Sequence, residues 1–201
     1  MSTYKLIYFN RRGRAELARF IFAQAGVKYE DTRLTGEEWQ KFKASTEFGG
    51  LPKLEVDGKQ LSGSQQIGRF LAERFGLAGK DEVENAYIAG INDFIGDLFT
   101  EMYKVFFAKD EAQKAEIKKA LAETHFPKFL GALDKLAEKS GAEEGWLVGK
   151  LTWIDFNMYT ALVYTPEEVA SNYKTLSKLK ASVEALPNIA AWLKERPQTE
   201  S

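Results

Sequence analysis

The sequence predicts two domains of different class, a mixed α/β domain followed by an all-helical domain. Up to Gly76 the pattern reads strand, helix, strand, helix, strand, strand, helix. Beyond Lys80 every long segment has helical periodicity instead. LAGKDE lies between the two regions with no periodicity of its own. The expected boundaries are therefore residues 1–76, a linker at 77–81, and residues 82–201.

The elements follow in order. YKLIYF, residues 4–9, alternates as a short strand with Tyr4, Leu6 and Tyr8 on one face. The turn NRRG comes next. Leu17, Ala18, Ile21, Phe22 and Ala25 then recur at helical spacing over residues 14–25, and Gly26 stops the helix. VKYEDTRL alternates as a second strand. Thr35 and Glu38 have the spacing of a capping box, ahead of a short helix that carries Trp39, Phe42 and Lys43. KLEV and KQL flank Asp57-Gly58, a strong hairpin signal. Leu51-Pro52 stands at the mouth of this hairpin, where proline fits a strand's first residue or a cis turn. Ser64 is placed to cap a helix running through Ile67, Phe70 and Leu71. A parallel start followed by an antiparallel hairpin makes a mixed four-stranded sheet covered by helices.

In the second region, Ala86, Ile88, Ile91, Phe94, Ile95 and Leu98 repeat along residues 82–108, and residues 111–139 form another helical stretch. The glycine-rich GAEEGWLVGK separates these from helices that begin near Thr152. There Thr152 and Asp155 form an aspartate version of the capping box. Pro187 and Pro197 mark later helix boundaries.

Composition limits the chemistry. Hydrophobic residues make up 44% and charged residues 28%, ordinary values for a globular chain. The net charge of −1 lacks the basic excess of a nucleic-acid or membrane-surface binder. The opening MSTYKLIYF is too short an apolar run for a signal peptide, and no stretch approaches a membrane span, so a cytoplasmic location is expected. The chain has no cysteine, which removes disulfides, thiolate metal sites and cysteine nucleophiles. Its single histidine, His125, rules out a multi-histidine metal centre and lies near no serine-elbow motif. Tyrosine, arginine, lysine, carboxylates and hydroxyls are left to do the chemistry. Any thiol must come from another molecule.

YKLIYFNRRGRAELARF, EDTRL, LPKLEVDG, FLAERFGLAGK, LTWIDF and the closing ERPQ occur in this order along nearly the whole chain. Together they resemble a cytosolic glutathione transferase, and YFNRRGRAE is most similar to the sigma class, which includes haematopoietic-type prostaglandin D synthases and S-crystallins. The resemblance implies a thioredoxin-like N-terminal domain, a helical-bundle C-terminal domain, glutathione as co-substrate, a hydrophobic electrophile as second substrate, and a homodimer. The chemistry asks for no metal.

The resemblance also assigns roles. A free thiol has a pKa of about 8.5, so only a few per cent is thiolate at pH 7. A hydroxyl that donates a hydrogen bond to the sulfur lowers that pKa. The family pattern puts this donor at Tyr8. A plain strand aromatic is the competing reading of that position. Arg14 matches an arginine that supports the sulfur anion. Arg12 stands beside it as a substrate contact or a solvated charge, and Arg11 reads as solvent-facing. For glutathione itself, the family pattern points to Trp39, Lys43, Gly50, Leu51, Pro52, Gly63, Ser64 and Asp97. Within that set, Trp39 and Lys43 hold the glycyl end, and the Leu51 backbone pairs with the cysteinyl backbone. Ser64 meets the γ-glutamyl carboxylate, and Asp97 reaches the γ-glutamyl amino group across a dimer interface. Phe9, Arg12, Phe99, Tyr103, Lys104, Phe107 and Asn157 are candidates to line the second-substrate site. At helical spacing, Phe99, Tyr103 and Phe107 also read as core.

Two positions depart from the family. Gly63 stands where glutamine commonly precedes the serine, and Gly50 replaces a usual glutamine or lysine. Each lost side-chain bond to a charged ligand costs roughly 1.5–3 kcal/mol, or about one to two decades of affinity. Weakened glutathione binding with intact thiol activation is therefore expected. Lys104, where prostaglandin-isomerising members often carry tryptophan, weakens the prostaglandin reading without excluding it, and glutathione-dependent isomerase or peroxidase activity, which uses the same thiolate, stays as an alternative. A non-catalytic crystallin-like protein or ligand carrier on the same fold is the rival reading, because fold alone does not decide function.

Overall fold

A computed structural model describes residues 2–199. The chain divides into two units. One runs to Ala78 and includes the stretch from Glu184 onward; the other is Gly79–Val183.

The first unit is built on the predicted sheet. Strands β1 (Tyr4–Phe9), β2 (Glu30–Leu34), β3 (Lys53–Val56) and β4 (Lys59–Ser62) lie in the order β2-β1-β3-β4. β1 is parallel to β2 and antiparallel to β3, and β3 pairs antiparallel with β4. Leu6 and Ile7 point to opposite faces of β1, and both are buried. At the hairpin tip Asp57 has φ +48° and Gly58 φ +82°, the positive pair that a two-residue turn of this hand requires.

Helices α1 (Glu16–Ala25), α2 (Gly36–Lys43) and α3 (Ser64–Phe75) accompany the sheet. Gly26 ends α1 in the left-handed conformation, as its sequence position predicts. Thr35 and Glu38 form the expected capping box. Ser64 departs from expectation. It is the first residue of α3, and Gly63, at φ +87° and ψ +125°, takes the N-cap place with no side-chain cap. The glycine turns the chain there, so the Ser64 hydroxyl is not used on its own helix.

The second unit begins with α4 (Glu82–Tyr103), capped by Asp81, whose carboxylate accepts the Glu84 N–H at 2.8 Å. A 3₁₀ turn, Lys104–Phe107, leads to α5 (Glu111–Ala120). A π-helical turn at Leu121–His125 joins α5 to α6 (Phe126–Ser140). Then comes α7 (Trp153–Tyr164), buried on every side from Trp153 to Leu162, as a helix apolar all round must be. Its Asp155 accepts from the Thr152 N–H at 2.7 Å, the Thr152 hydroxyl at 3.1 Å and the Leu147 N–H at 2.9 Å. A short α8 (Glu167–Ala170) and α9 (Lys174–Ala185) follow.

One helix of the expected domain 82–201 packs where its position in the chain does not suggest. Helix α10 (Pro187–Glu195) belongs with the first unit, packed on α1. Ile189 is fully buried there, and the Asn188 amide donates to the Gln24 carbonyl at 3.0 Å. Helical periodicity finds α10, but it does not say which surface the helix covers. Among the described residues, no helix is long and apolar enough to cross a membrane.

Candidate active site

β1 carries Tyr8 to its end, and the chain then turns through Asn10–Arg12 into a 3₁₀ turn at Gly13–Ala15. The Arg14 main-chain N–H donates to the Tyr8 hydroxyl oxygen at 3.2 Å. This bond occupies the oxygen as an acceptor and leaves the phenolic proton to donate elsewhere. Gly13, at φ +42°, brings the backbone against the phenol. A Cβ built on it would stand 2.7 Å from the Tyr8 oxygen.

The turn is held from below by a residue that no sequence motif singles out. Arg19 is fully buried on α1. It donates to the Arg11 carbonyl at 2.8 Å and the Arg12 carbonyl at 3.4 Å, and it pairs with Glu16 at 3.2 Å. Its other nitrogens reach Asp31 at 3.2 Å and 3.3 Å. Asp31 is shared with Arg33, whose guanidinium also donates to the Asn10 side chain at 3.1 Å. Glu16, 2% exposed, accepts from Arg196 at 2.8 Å and from the Trp192 indole at 3.1 Å, both on or beside α10. The Glu16–Arg19 spacing of three on a helix was the available signal. Arg11 itself is exposed, as expected; Arg12 is half-buried and Arg14 exposed.

The remaining first-unit candidates group around this strand end and the sheet edge. Phe9 meets Tyr8 edge-on at 5.5 Å and Trp39 at 5.7 Å, so Tyr8, Phe9 and Trp39 form one aromatic row. Lys43 lies exposed at the end of α2, with its side-chain carbons beside Gly49. Leu51-Pro52 is a cis peptide bond, with Pro52 buried directly before β3. Gly50 is exposed, and a Cβ there would come no nearer than 3.9 Å to the Phe48 carbonyl. The uncapped first turn of α3 presents main-chain N–H groups beside the Ser64 hydroxyl, a donor set suited to a carboxylate.

The second-unit candidates separate. Phe99 and Tyr103 stack at 5.8 Å and line an apolar cavity of about 440 Å³ together with Met102, Phe106, Leu121 and Tyr164. Lys104 is tied to Glu101 at 2.6 Å, which also faces His125 at 3.4 Å. Phe107 is 83% exposed and outside the cavity. Asn157 is buried and donates its amide to Asn92 of α4 at 2.8 Å. That bond joins two helices, and the structure does not bring Asn157 to the apolar cavity. Asp97 is exposed on α4.

The comparisons agree along the length of the chain. The family model described as "Glutathione S-transferase, N-terminal domain" matches residues 4–73, and "Glutathione S-transferase, C-terminal domain" matches residues 96–196. The hematopoietic prostaglandin D synthase of Gallus gallus is 41% identical over 203 residues, covering 99% of both chains. The chain belongs to the glutathione S-transferase family. Glutathione S-transferase 1 of Ascaris suum is likewise 41% identical, over 206 residues and 99% of both chains. The crystal structure of the glutathione S-transferase from Ascaris lumbricoides superposes with a TM-score of 0.89 at 40% identity, covering 98% of both chains. A further transferase of this family, Na-GST-3 of the hookworm Necator americanus, was solved as a monomer. It superposes with a TM-score of 0.88 at 33% identity, covering 99% of this chain and 100% of its own. The mixed sheet followed by helices is thus the transferase fold, and glutathione is the family's co-substrate.

Proposed function

We propose that this transferase activates glutathione through Tyr8 and conjugates it to hydrophobic electrophiles. The observation that carries the reading is the Tyr8 hydroxyl at the end of β1. Its oxygen is already engaged by the Arg14 N–H at 3.2 Å, so its proton is left to donate. A sulfur placed before it receives that hydrogen bond as the thiolate. The Arg14 side chain adds positive charge beside the anion. The sulfur attacks an electrophilic carbon; the new S–C bond forms as the leaving group departs with its electron pair, or as a double bond accepts it.

The first unit binds glutathione in this reading. Trp39 and Lys43 take its glycyl end, the Leu51 backbone its cysteinyl amide, and Ser64 with the first turn of α3 its γ-glutamyl carboxylate. Gly50 and Gly63 lack side chains to add. The apolar cavity lined by Phe99 and Tyr103 suits a hydrophobic ligand. A homodimer with Asp97 serving the partner's glutathione completes the reading. Because a hookworm relative is monomeric, sedimentation of this chain is the direct check. Reduced glutathione is a cytosolic reagent, which favours a cytoplasmic location.

The experiment is conjugation of a chlorinated nitroaromatic over a glutathione titration, for wild type and Tyr8→Phe. If Tyr8 lowers the bound thiol's pKa from about 8.5 to about 6.5, its loss reduces the thiolate at pH 7 about 25-fold. Conjugation should fall by that factor. A wild type inactive at saturating glutathione refutes the activity; equal rates refute the role of Tyr8.

A further inference from the structure

The geometry assigns Gly13 the part of a positioning residue for the Tyr8 hydroxyl. The assignment rests on the reading of Tyr8 as the thiol's hydrogen-bond donor. Gly13 opens the 3₁₀ turn that faces the phenol. A Cβ there would lie 2.7 Å from the hydroxyl oxygen, 3.1 Å from Cε1 and 3.3 Å from Cζ. Real Cβ contacts are essentially never as short as the first of these. The contacted atoms belong to a ring fixed by β1 and by the edge-on packing of Phe9 at 5.5 Å. The backbone cannot retreat easily either, because Arg19 holds the Arg11 and Arg12 carbonyls and Arg33 holds the Asn10 side chain.

The missing side chain therefore does two things. It leaves room for the hydroxyl at its present place. It also lets the next residue's N–H approach within 3.2 Å and fix which way the phenolic oxygen accepts. With the oxygen's acceptor direction fixed, the proton has its direction fixed as well. Polarisation by the N–H makes it a stronger donor. Any side chain at position 13 displaces the hydroxyl, lengthens the Arg14 bond, and weakens donation to the sulfur without touching the groups proposed to grip the tripeptide.

Two variants separate this effect from backbone strain. Gly13→Ala adds a Cβ and also suffers at φ +42°. Gly13→Asn adds the same Cβ, but asparagine tolerates this left-handed conformation. Both should raise the pKa of enzyme-bound glutathione, read from the pH profile of kcat/KM and from the ultraviolet absorption of the bound thiolate. Conjugation near neutral pH should fall about tenfold in each, with recovery at high pH and a glutathione KM within about twofold of wild type. The charged residues of the turn, Arg12 and Arg14, and Arg33, the register partner of Tyr8 on β2, are unchanged in both variants. In a Tyr8→Phe background, either substitution should have little further effect.

A Gly13→Asn protein with the wild-type pH profile overturns the assignment, since strain alone would then explain the alanine result. So does an equal loss with Tyr8 present and in the Tyr8→Phe background, which would mean general damage to the turn. If Tyr8→Phe alone leaves the pH profile unchanged, the reading of Tyr8 fails first and that of Gly13 with it. A variant that fails to fold is replaced by its partner, and the two failing together also counts against a local effect.

Discussion

Gly63→Gln should tighten glutathione binding while loosening the fold. The two effects act on different equilibria. At φ +87° and ψ +125°, Gly63 occupies a conformation that side chains rarely adopt. A residue with a Cβ there costs roughly 1–3 kcal/mol of strain. The built Cβ also lies 2.5 Å from Gln66 Oε1, but that is the tip of an exposed, flexible side chain that can swing away. The strain is present with and without ligand, so it subtracts from folding and cancels from binding. A glutamine amide on the ligand's carboxylate should contribute roughly 1.5–3 kcal/mol, or about tenfold to hundredfold in affinity. Calorimetric titration with glutathione measures the gain, and urea unfolding of the ligand-free protein measures the cost. Gly50→Gln is the internal control. Position 50 is outside the positive-φ set and has open space, so the same affinity gain should come with no loss of stability. A folded Gly63→Gln protein with an unchanged dissociation constant refutes the claim that the missing side chain weakens the grip. Unchanged stability refutes the strain argument.

Asp155→Ala should destabilise the protein by about 3–5 kcal/mol in urea unfolding, because it leaves the buried N–H groups of Leu147 and Thr152 without an acceptor; a loss below about 1 kcal/mol would count against the buried cap. Burial pushes the Asp155 carboxyl up to about 7, against the opposing pull of the Leu147 and Thr152 donors. The folded state therefore keeps a proton that the unfolded chain has lost. This contribution is full below about pH 4 and disappears as pH rises through about 7. The stability of wild type relative to Asp155→Asn should decline across that window, and a flat difference would contradict it. Arg196→Ala leaves the buried Glu16 carboxylate short of a partner and should cost roughly 3 kcal/mol. Arg196→Lys should recover only part of this, since lysine lacks the planar donor fork; full recovery would show that charge alone matters there.

Much of this protein was legible in its sequence wherever the deciding interactions are local. Thr35 with Glu38 and Thr152 with Asp155 are three residues apart, and both boxes form. Asp57-Gly58 sets its own turn, and Gly26 ends α1 through its own backbone freedom. The phrase YFNRRGRAE and its companion motifs carried the family resemblance, and with it the candidate thiol donor. The sequence alone did not show what lies across the fold. Glu16 and Arg196 are 180 positions apart, yet their charges meet in a part-buried pair that seats α10 on α1. Asn157 reads as a candidate lining residue, and nothing in the sequence shows that its amide meets Asn92, 65 positions away. Ser64 reads as a helix cap until the backbone at Gly63 turns and takes that place. Gly13 reads as one more turn glycine until the sheet sets the Tyr8 hydroxyl against it. Caps, hairpins and periodicity depend on neighbours a few residues away, which a sequence displays. Ion pairing in a core and the close approach of a backbone to a phenol depend on burial and distance, and those exist only once the chain has folded.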